Sequence, residues 1–368
     1  MRVIFLAWRD LAHPRSGGAE VLAQGLAQRL ARSGHDVVFF SARVPGRPDD
    51  ELVDGVRHVR RGGRYGVYRA AYDWLRRERP PYDVLIDHIN TIPFFTPIYE
   101  RGPVVALVPQ LARDVWWYEV PMALAPLGIA AERLYHLCYR AIPAITISES
   151  SKRDLREFGW KGNIEVIAMP IPRAASPGAG TQVKSATPAL VYVGRLTPSK
   201  RVEHAIAAFA VVKARFPDAE LWIVGHADDG SYQRRLMEIA TKVGGVQFLG
   251  KLSETARQER TRAAHVLLLT SVREGWGLVV TEANSVGTPA AGYDVPGLRD
   301  SIKPGQGILT KAGDPKALGQ AVADLLADPA ALATMAERAQ ADAMHYDWDR
   351  TYDEFVRALK TLLPALPL

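Results

Sequence analysis

The chain holds one cysteine, Cys138, among 368 residues. A single thiol excludes an intramolecular disulfide and leaves too few sulfurs for a cysteine-built zinc site. Its setting, Y-H-L-C-Y-R-A-I, reads as a buried inert thiol, and so low a thiol content suits a reducing compartment such as the cytoplasm. Also missing is any uninterrupted apolar run of about 18 residues, so no segment is expected to span a bilayer. The apolar start, M-R-V-I-F-L-A-W-R-D, is stopped by Arg9 and Asp10 and reads as a first buried strand rather than a leader. Neither G-x-G-x-x-G nor the P-loop G-K-[ST] occurs, which argues against dinucleotide and P-loop ATPase readings. Charged residues make up 23% against 48% hydrophobic, a balance that excludes a disordered chain.

What is present is alternation. Apolar strand-like runs at residues 3–7, 36–41, 84–87, 104–108 and 144–148 are separated by helix-like stretches, the first of them A-E-V-L-A-Q-G-L-A-Q-R-L-A-R-S-G with its stop at Gly34. Residues 173–188, rich in Gly, Pro and small side chains, break the pattern and read as a linker. Alternation then restarts, with strands at 190–193, 221–224, 246–249 and 266–269 and helices at 202–215, 232–243 and 255–264. The expected division is an N-terminal domain over 1–172, the linker, a C-terminal domain over 189–345 and a closing helical segment over 346–368. The fold class is α/β: two Rossmann-like doubly wound domains facing across a cleft.

The net charge of +6 is compatible with an anionic ligand, a membrane surface or nucleic acid. Nucleic acid is not expected, because no recognised binding module accompanies the charge. The arginines concentrate at Arg57, Arg60, Arg61, Arg64, Arg69, Arg76, Arg77 and Arg79, interleaved with Tyr65, Tyr68, Tyr72 and Trp74. This is either a solvated helix face or a peripheral contact with an anionic membrane, on its inner face.

One stretch organises the chemistry: R-E-G-W-G-L-V-V-T-E, residues 273–282. It follows a buried strand, and Gly275 and Gly277 let backbone approach a bound group before a helix begins near Leu278. A helix start faces phosphate favourably, while Glu274 and Glu282 suit hydroxyl groups. S-G-G-A-E, with Gly17 and Gly18 after the first strand, reads as either a second anion-facing loop or a plain tight turn. In V-Y-V-G-R-L-T-P-S-K-R, Arg195 and Lys200 lie on one loop, an arginine fork and a mobile lysine charge suited to a diphosphate.

Together, S-G-G-A-E, T-I-S-E-S-S-K-R-D-L, Y-V-G-R-L-T-P-S-K and E-G-W-G-L-V-V-T-E resemble the retaining glycosyltransferases of family 4, with the GT-B fold, over nearly the whole chain and in the family's motif order. The resemblance implies transfer of a sugar, with retention, from a nucleoside diphosphate sugar to a hydroxyl acceptor: a lipid, a polysaccharide precursor or a small molecule. It implies a hexosyltransferase-type enzyme with no cofactor and no metal; no D-x-D flanked by apolar strands is seen. By the same resemblance Gly17 and Gly18 approach the donor phosphates, Arg195 and Lys200 neutralise the diphosphate, and Glu274 lies beside the transferred sugar. Gly275, Trp276, Gly277 and Leu278 form the turn beneath it, and Glu282 accepts from ribose hydroxyls. The helix around Trp348 resembles the segment that crosses back onto the first domain.

The chain departs from the family pattern at Pro109, where a histidine that touches the transferred sugar is expected. Gln110 or His88 would take that hydrogen bond, or the chain would be a catalytically weak or silent nucleotide-sugar binder; His88 also reads as a structural histidine. For the acceptor, the aromatic row containing Trp116 is a candidate wall or ordinary core. Arg113 and Asp114 would orient an acceptor hydroxyl or pair with each other.

Overall fold

A computed structural model describes residues 1–171, 184–227 and 229–366. Most of the expected linker, 173–183, lies outside the described residues. Where description resumes, the Lys184 ammonium donates to Ala264 O at 2.8 Å, Gly287 O at 2.9 Å and Thr288 Oγ1 at 3.0 Å. The chain divides into two compact units, one of Met1–Arg113, Pro126–Pro170 and Asp349–Leu368, the other of Asp114–Ala125 and Ile171–Trp348.

The first unit is built on eight strands: β1 (Arg2–Ala7), β2 (Asp36–Ser41), β3 (Asp50–Val53), β4 (Val56–Arg60), β5 (Val84–His88), β6 (Val104–Leu107), β7 (Ala144–Thr146) and β8 (Ile164–Val166). Their order in the sheet is β3-β4-β2-β1-β5-β6-β7-β8. All neighbours are parallel except β3 and β4. That pair, which the apolar-run reading misses, is a hairpin closed by Asp54-Gly55 at φ 51° and 80°. Positive φ at both turn residues matches the twist of the flanking strands, and Asp-Gly is the sequence signal for it. The closing helix Trp348–Leu362 buries Thr351, Phe355 and Leu359, and Glu354 accepts the Ala168 amide at 2.7 Å. Cys138, expected to be buried, is exposed, because its helix turns Glu132, Tyr135 and His136 inward instead.

β5 is buried along its whole length although it ends in Asp87 and His88. Burial raises the Asp87 pKa, and the carboxyl group accepts from Thr96 Oγ1 at 2.7 Å and from Tyr139 OH. His88 is 1% exposed, neither ring nitrogen has a hydrogen-bond partner among the described residues, and burial pushes its pKa down to about 4.

The second unit carries six parallel strands: β9 (Ala189–Val193), β10 (Glu220–Val224), β11 (Val246–Gly250), β12 (Val266–Leu269), β13 (Ala290–Tyr293) and β14 (Gly307–Thr310), ordered β11-β10-β9-β12-β13-β14. β9, β12 and β13 are wholly buried, as continuous apolar runs in a covered parallel sheet should be. Among the described residues, no helix is long and apolar enough to cross a membrane.

Close packing and burial each generate a measurable outcome. At Gly225 (φ 148°) an added Cβ would sit 1.8 Å from Gly194 O. Gly225→Ala should therefore cost about 2 kcal/mol or more in chemical denaturation; an unchanged midpoint would contradict the close approach. His88 is neutral when folded and titrates near 6.5 when unfolded, so below pH 6.5 the unfolded state binds the extra proton. Wild-type stability should fall from pH 6.5 down to about 4, and His88→Gln should remove up to about 3 kcal/mol of that fall when denaturation is repeated across the window.

Candidate active site

In the second unit the strand order reverses at β9, which lies between β10 and β12. Loops leaving two neighbouring strands at such a reversal turn to opposite faces and leave a crevice at the carboxyl edge. Arg195 and Lys200 are on the loop after β9, and Glu274 is on the loop after β12, so the topology brings these distant stretches together. Thr270 Oγ1 donates to Lys200 O and Arg201 O at 3.0 and 2.8 Å, and the Val272 amide donates to Ser199 O at 2.9 Å. These bonds hold one loop on the other. Within them Lys200 Nζ lies 2.5 Å from Glu274 Oε1, which also accepts from Ser271 Oγ at 2.6 Å. Both members of the ion pair are mostly buried, at 22% and 15% side-chain exposure. Arg195 is exposed and makes no ion pair with a described residue; its carbonyl accepts from Tyr192 OH at 3.0 Å.

Glu274 is also fixed through its backbone. Its amide donates to Pro296 O at 3.0 Å, and a Cβ at Gly297 (φ 83°) would fall 2.2 Å from Glu274 O. Only glycine fits there. Gly275 and Trp276 are buried in the turn, and Gly277, at φ 87°, is the cap residue of the helix Leu278–Ser285. That helix has no side-chain cap and no acidic residue in its first turn. No carboxylate of its own first turn therefore offsets its first N–H groups and the positive end of its dipole. The Trp276 ring lies 5.3 Å from that of Tyr346, and its Nε1 is buried with no partner among the described residues. Glu282 is paired with Arg257 of the helix Glu254–Ala263 through Oε2. Burial raises its pKa against the opposing pull of Arg257, which spans to Glu254 at 2.6 Å. No sequence spacing announces Arg257, because it reaches Glu282 only through the fold.

The first unit repeats the construction with a different charge. Its strand order reverses at β1, so the S-G-G loop after β1 and His88 at the end of β5 share the carboxyl edge. Gly17 and Gly18 do not both offer free amides there. The Gly17 N–H donates to Glu20 Oε2 at 2.7 Å, so the helix Gly18–Arg32 begins on its own buried carboxylate. Glu20 Oε1 in turn accepts from Arg9 Nε at 2.9 Å and Asn90 Nδ2 at 2.7 Å. The signal for this was the three-residue spacing of a capping box, Gly17 to Glu20. After β6, Pro109 is buried and its carbonyl accepts from Ser151 Oγ at 2.9 Å, while Gln110 Oε1 is buried without a partner among the described residues. Gln110 follows β6 and His88 ends β5, and these strands pair. Three unpartnered polar atoms thus stand at the ends of adjacent strands, a pattern that a hydrogen-bonding ligand would satisfy.

The expected acceptor wall is redistributed. Arg113 and Asp114 do not pair with each other. Arg113 turns to Asp154 and to Glu157 at 2.8 Å, which raises its pKa against the effect of burial. Asp114 lies 3.8 Å from Arg273. The segment 114–125, assigned by sequence to the first domain, groups with the second unit instead. Trp116 opens its short helix Trp116–Glu119, in which Glu119 accepts from Ser199 Oγ and Tyr118 OH accepts from Arg201.

Comparison with known proteins agrees with this arrangement. Residues 180–342 match the family described as Glycosyl transferases group 1, and residues 16–174 match Glycosyltransferase Family 4. D-inositol 3-phosphate glycosyltransferase 2 of Catenulispora acidiphila is 31% identical over 91% of this chain and 88% of its own. Among solved structures, sucrose-phosphate synthase from Thermosynechococcus elongatus superposes with a TM-score of 0.81 at 21% identity, covering 99% of both chains. Anabaena HepE in complex with UDP-glucose superposes at 0.74 with 18% identity, over 98% of this chain and all of that one (100%). The two α/β units are those of the GT-B fold, and the chain belongs to the family 4 glycosyltransferases, the glycosyl transferases group 1.

Proposed function

We propose that the protein transfers a hexose from a nucleoside diphosphate sugar to an acceptor hydroxyl, with retention at the anomeric carbon and without a metal ion. The observation that carries this reading is the union of Arg195, Lys200, Glu274 and an uncapped helix start at one sheet reversal. HepE crystals holding UDP-glucose and the glycosyltransferase relatives support a sugar nucleotide as donor.

As the glycosidic bond to the diphosphate breaks, negative charge grows on the leaving group and positive charge on the sugar. Arg195, Lys200 and the amides opening the helix Leu278–Ser285 would stabilise the first, a preorganised electrostatic role. Glu274 would orient the sugar and offset the second. Lysine has three donors, so Lys200 can keep Glu274 while it meets a phosphate oxygen. The departing phosphate would take the acceptor's proton on the same face of the sugar, which yields retention without a separate base. Glu282, with Oε1 left beside the Arg257 pair on Oε2, would accept from ribose hydroxyls. The first unit, whose helix start already holds Glu20, suits an uncharged hydroxyl-bearing group better than a phosphate. His88 and Gln110 supply hydrogen bonds there in place of the histidine that Pro109 lacks.

Lys200→Ala and Glu274→Gln should each lower kcat/KM by roughly 10²–10³. NMR of the product should show the donor's anomeric configuration, and excess EDTA should leave the rate unchanged. Wild-type turnover in either variant, an inverted product, or loss of activity with EDTA would each refute the corresponding part. Pro109→His, assayed with a panel of sugar nucleotides, should shift donor preference; an unchanged profile and rate would show that this position does not select the sugar.

A further inference from the structure

The arginine-rich stretch of the first unit sorts into two sets once partners are known. Arg57 and Arg61 pair with Asp50 at 3.6 and 2.6 Å, Arg60 with Asp10 and Glu51 at 2.6 and 2.7 Å, and Arg69 with Asp73 at 3.6 Å. Arg76 and Arg79, joined by Arg101 from a separate loop, make no ion pair with a described residue. These three line one groove of about 760 Å³. The volume lies within the range of pockets that enclose a small molecule. Tyr72 and Tyr99 meet edge to face at 5.0 Å on its wall, and Ile98 is 67% exposed beside them.

The nearby carboxylates are otherwise engaged: Glu100, also in the lining, accepts from Tyr82 OH at 2.6 Å, and Glu78 accepts from Trp74 Nε1 at 2.8 Å. Three guanidinium groups thus face one occupied carboxylate. Arg79 is held at the rim by a left-handed backbone, φ 45°, where its amide caps the helix Val67–Glu78 through Leu75 O. Glycine or asparagine would adopt that conformation at lower cost, so the arginine sits there with a backbone penalty.

The position is distinct from the proposed donor and acceptor sites. Residues 79–82 lead into the amino end of β5, and residues 97–101 lead into the amino end of β6. The groove therefore opens at the edge of the sheet opposite to Gly17, His88 and Gln110.

We propose that this groove binds a phosphate ester carrying an apolar or planar portion, with the arginines on the phosphate and the tyrosine pair against the remainder. Arginine forks match phosphate oxygens in pairs, and aromatic faces take the attached group. Such a ligand would act from outside the catalytic edge, as a free phosphorylated effector or as an anionic lipid headgroup that tethers the protein.

The test uses the full chain. Hydrogen exchange is followed in residues 72–82 and 97–101 with inorganic pyrophosphate, and co-sedimentation is measured with phosphatidylcholine vesicles with and without phosphatidylglycerol. Arg76→Ala/Arg101→Ala should weaken binding about tenfold or more, and the control Arg69→Ala/Arg77→Ala should leave it unchanged. Protection by pyrophosphate identifies a free phosphate ligand. Binding to phosphatidylglycerol vesicles alone identifies a headgroup, and a response to both supports the shared chemistry. No response to either probe, or equal binding by the Arg76/Arg101 variant, overturns the proposal. Neither measurement depends on glycosyl transfer, so failure here leaves the proposed reaction standing and the reverse also holds.

Discussion

The contact between Lys200 and Glu274 depends on three separate restraints, and the candidate active site depends on that contact. Glu274 cannot retreat, because its amide is bonded to Pro296 O and its carbonyl lies against Gly297. Lys200 cannot drift far, because Thr270 ties both its carbonyl and that of Arg201 to the end of β12. Beneath both, β9 and β12 are buried parallel neighbours whose helices depart to opposite faces. The pair is screened from most solvent, so removing one partner would leave the other partly desolvated and uncompensated. That penalty generally exceeds what an intact pair contributes to stability. Its worth is therefore better sought in positioning charge than in holding the fold.

The two units place similar loops at similar sheet reversals, yet their electrostatics differ. In the first, Glu20 occupies the start of the helix and draws Arg9 and Asn90 to itself, so the positive helix end is already answered from within. In the second, Gly277 caps a helix with no acidic residue in its first turn, and Arg195 and Lys200 lie on the adjoining loop. A phosphate brought to the first would meet a buried carboxylate at the helix start; brought to the second, it would meet helix amides and cations, with the Glu274 carboxylate already engaged by Lys200. Neutral His88 and the orphan amide oxygen of Gln110 extend the contrast, since both suit hydroxyl groups. One fold used twice thus presents two unlike helix starts, because a carboxylate three places after a glycine answers the first from within.

Much of this was legible in the residues. Covered parallel strands such as β9 and β12 are apolar along their length, and those runs stand out; the helix Val202–Arg215 emerges with the bounds its pattern predicts. The motifs around Arg195, Lys200 and Glu274 are equally plain, because glycine and charge are placed there for reasons that apolar packing does not supply. What remained hidden depends on long-range partners. Arg113 turned to Asp154 and Glu157, and Glu282 to Arg257, over separations that no local pattern encodes. The exposure of Cys138 is not legible either, because an apolar neighbourhood in sequence does not say which side of a helix faces solvent. The β3–β4 hairpin does not stand out as an apolar run although Asp54-Gly55 announces it, since β3 buries no residue fully and β4 buries His58 and Arg60 beside its valines.

The segment Asp114–Ala125 shows how a loop can be steadied by residues far from it in sequence. Tyr118 and Glu119 bond Arg201 and Ser199, the two residues that flank Lys200, and Asp114 reaches Arg273, the residue before Glu274. Each half of the central ion pair is thus held by a neighbour whose own side chain is engaged, which leaves the Lys200 ammonium and the Glu274 carboxylate facing each other. Ser199 and Lys200 lie in a single turn of 3₁₀-helix, too short to be stable alone, and a left-handed Arg201 closes it. Without external partners such a turn would fluctuate among conformations and the ammonium would sample a wider volume. The W-W-Y-E motif therefore reads as support for the loop bearing Lys200. Its aromatic content fits that role, because the Arg201 guanidinium lies over the Tyr118 ring at 5.1 Å while it donates to the hydroxyl of the same residue.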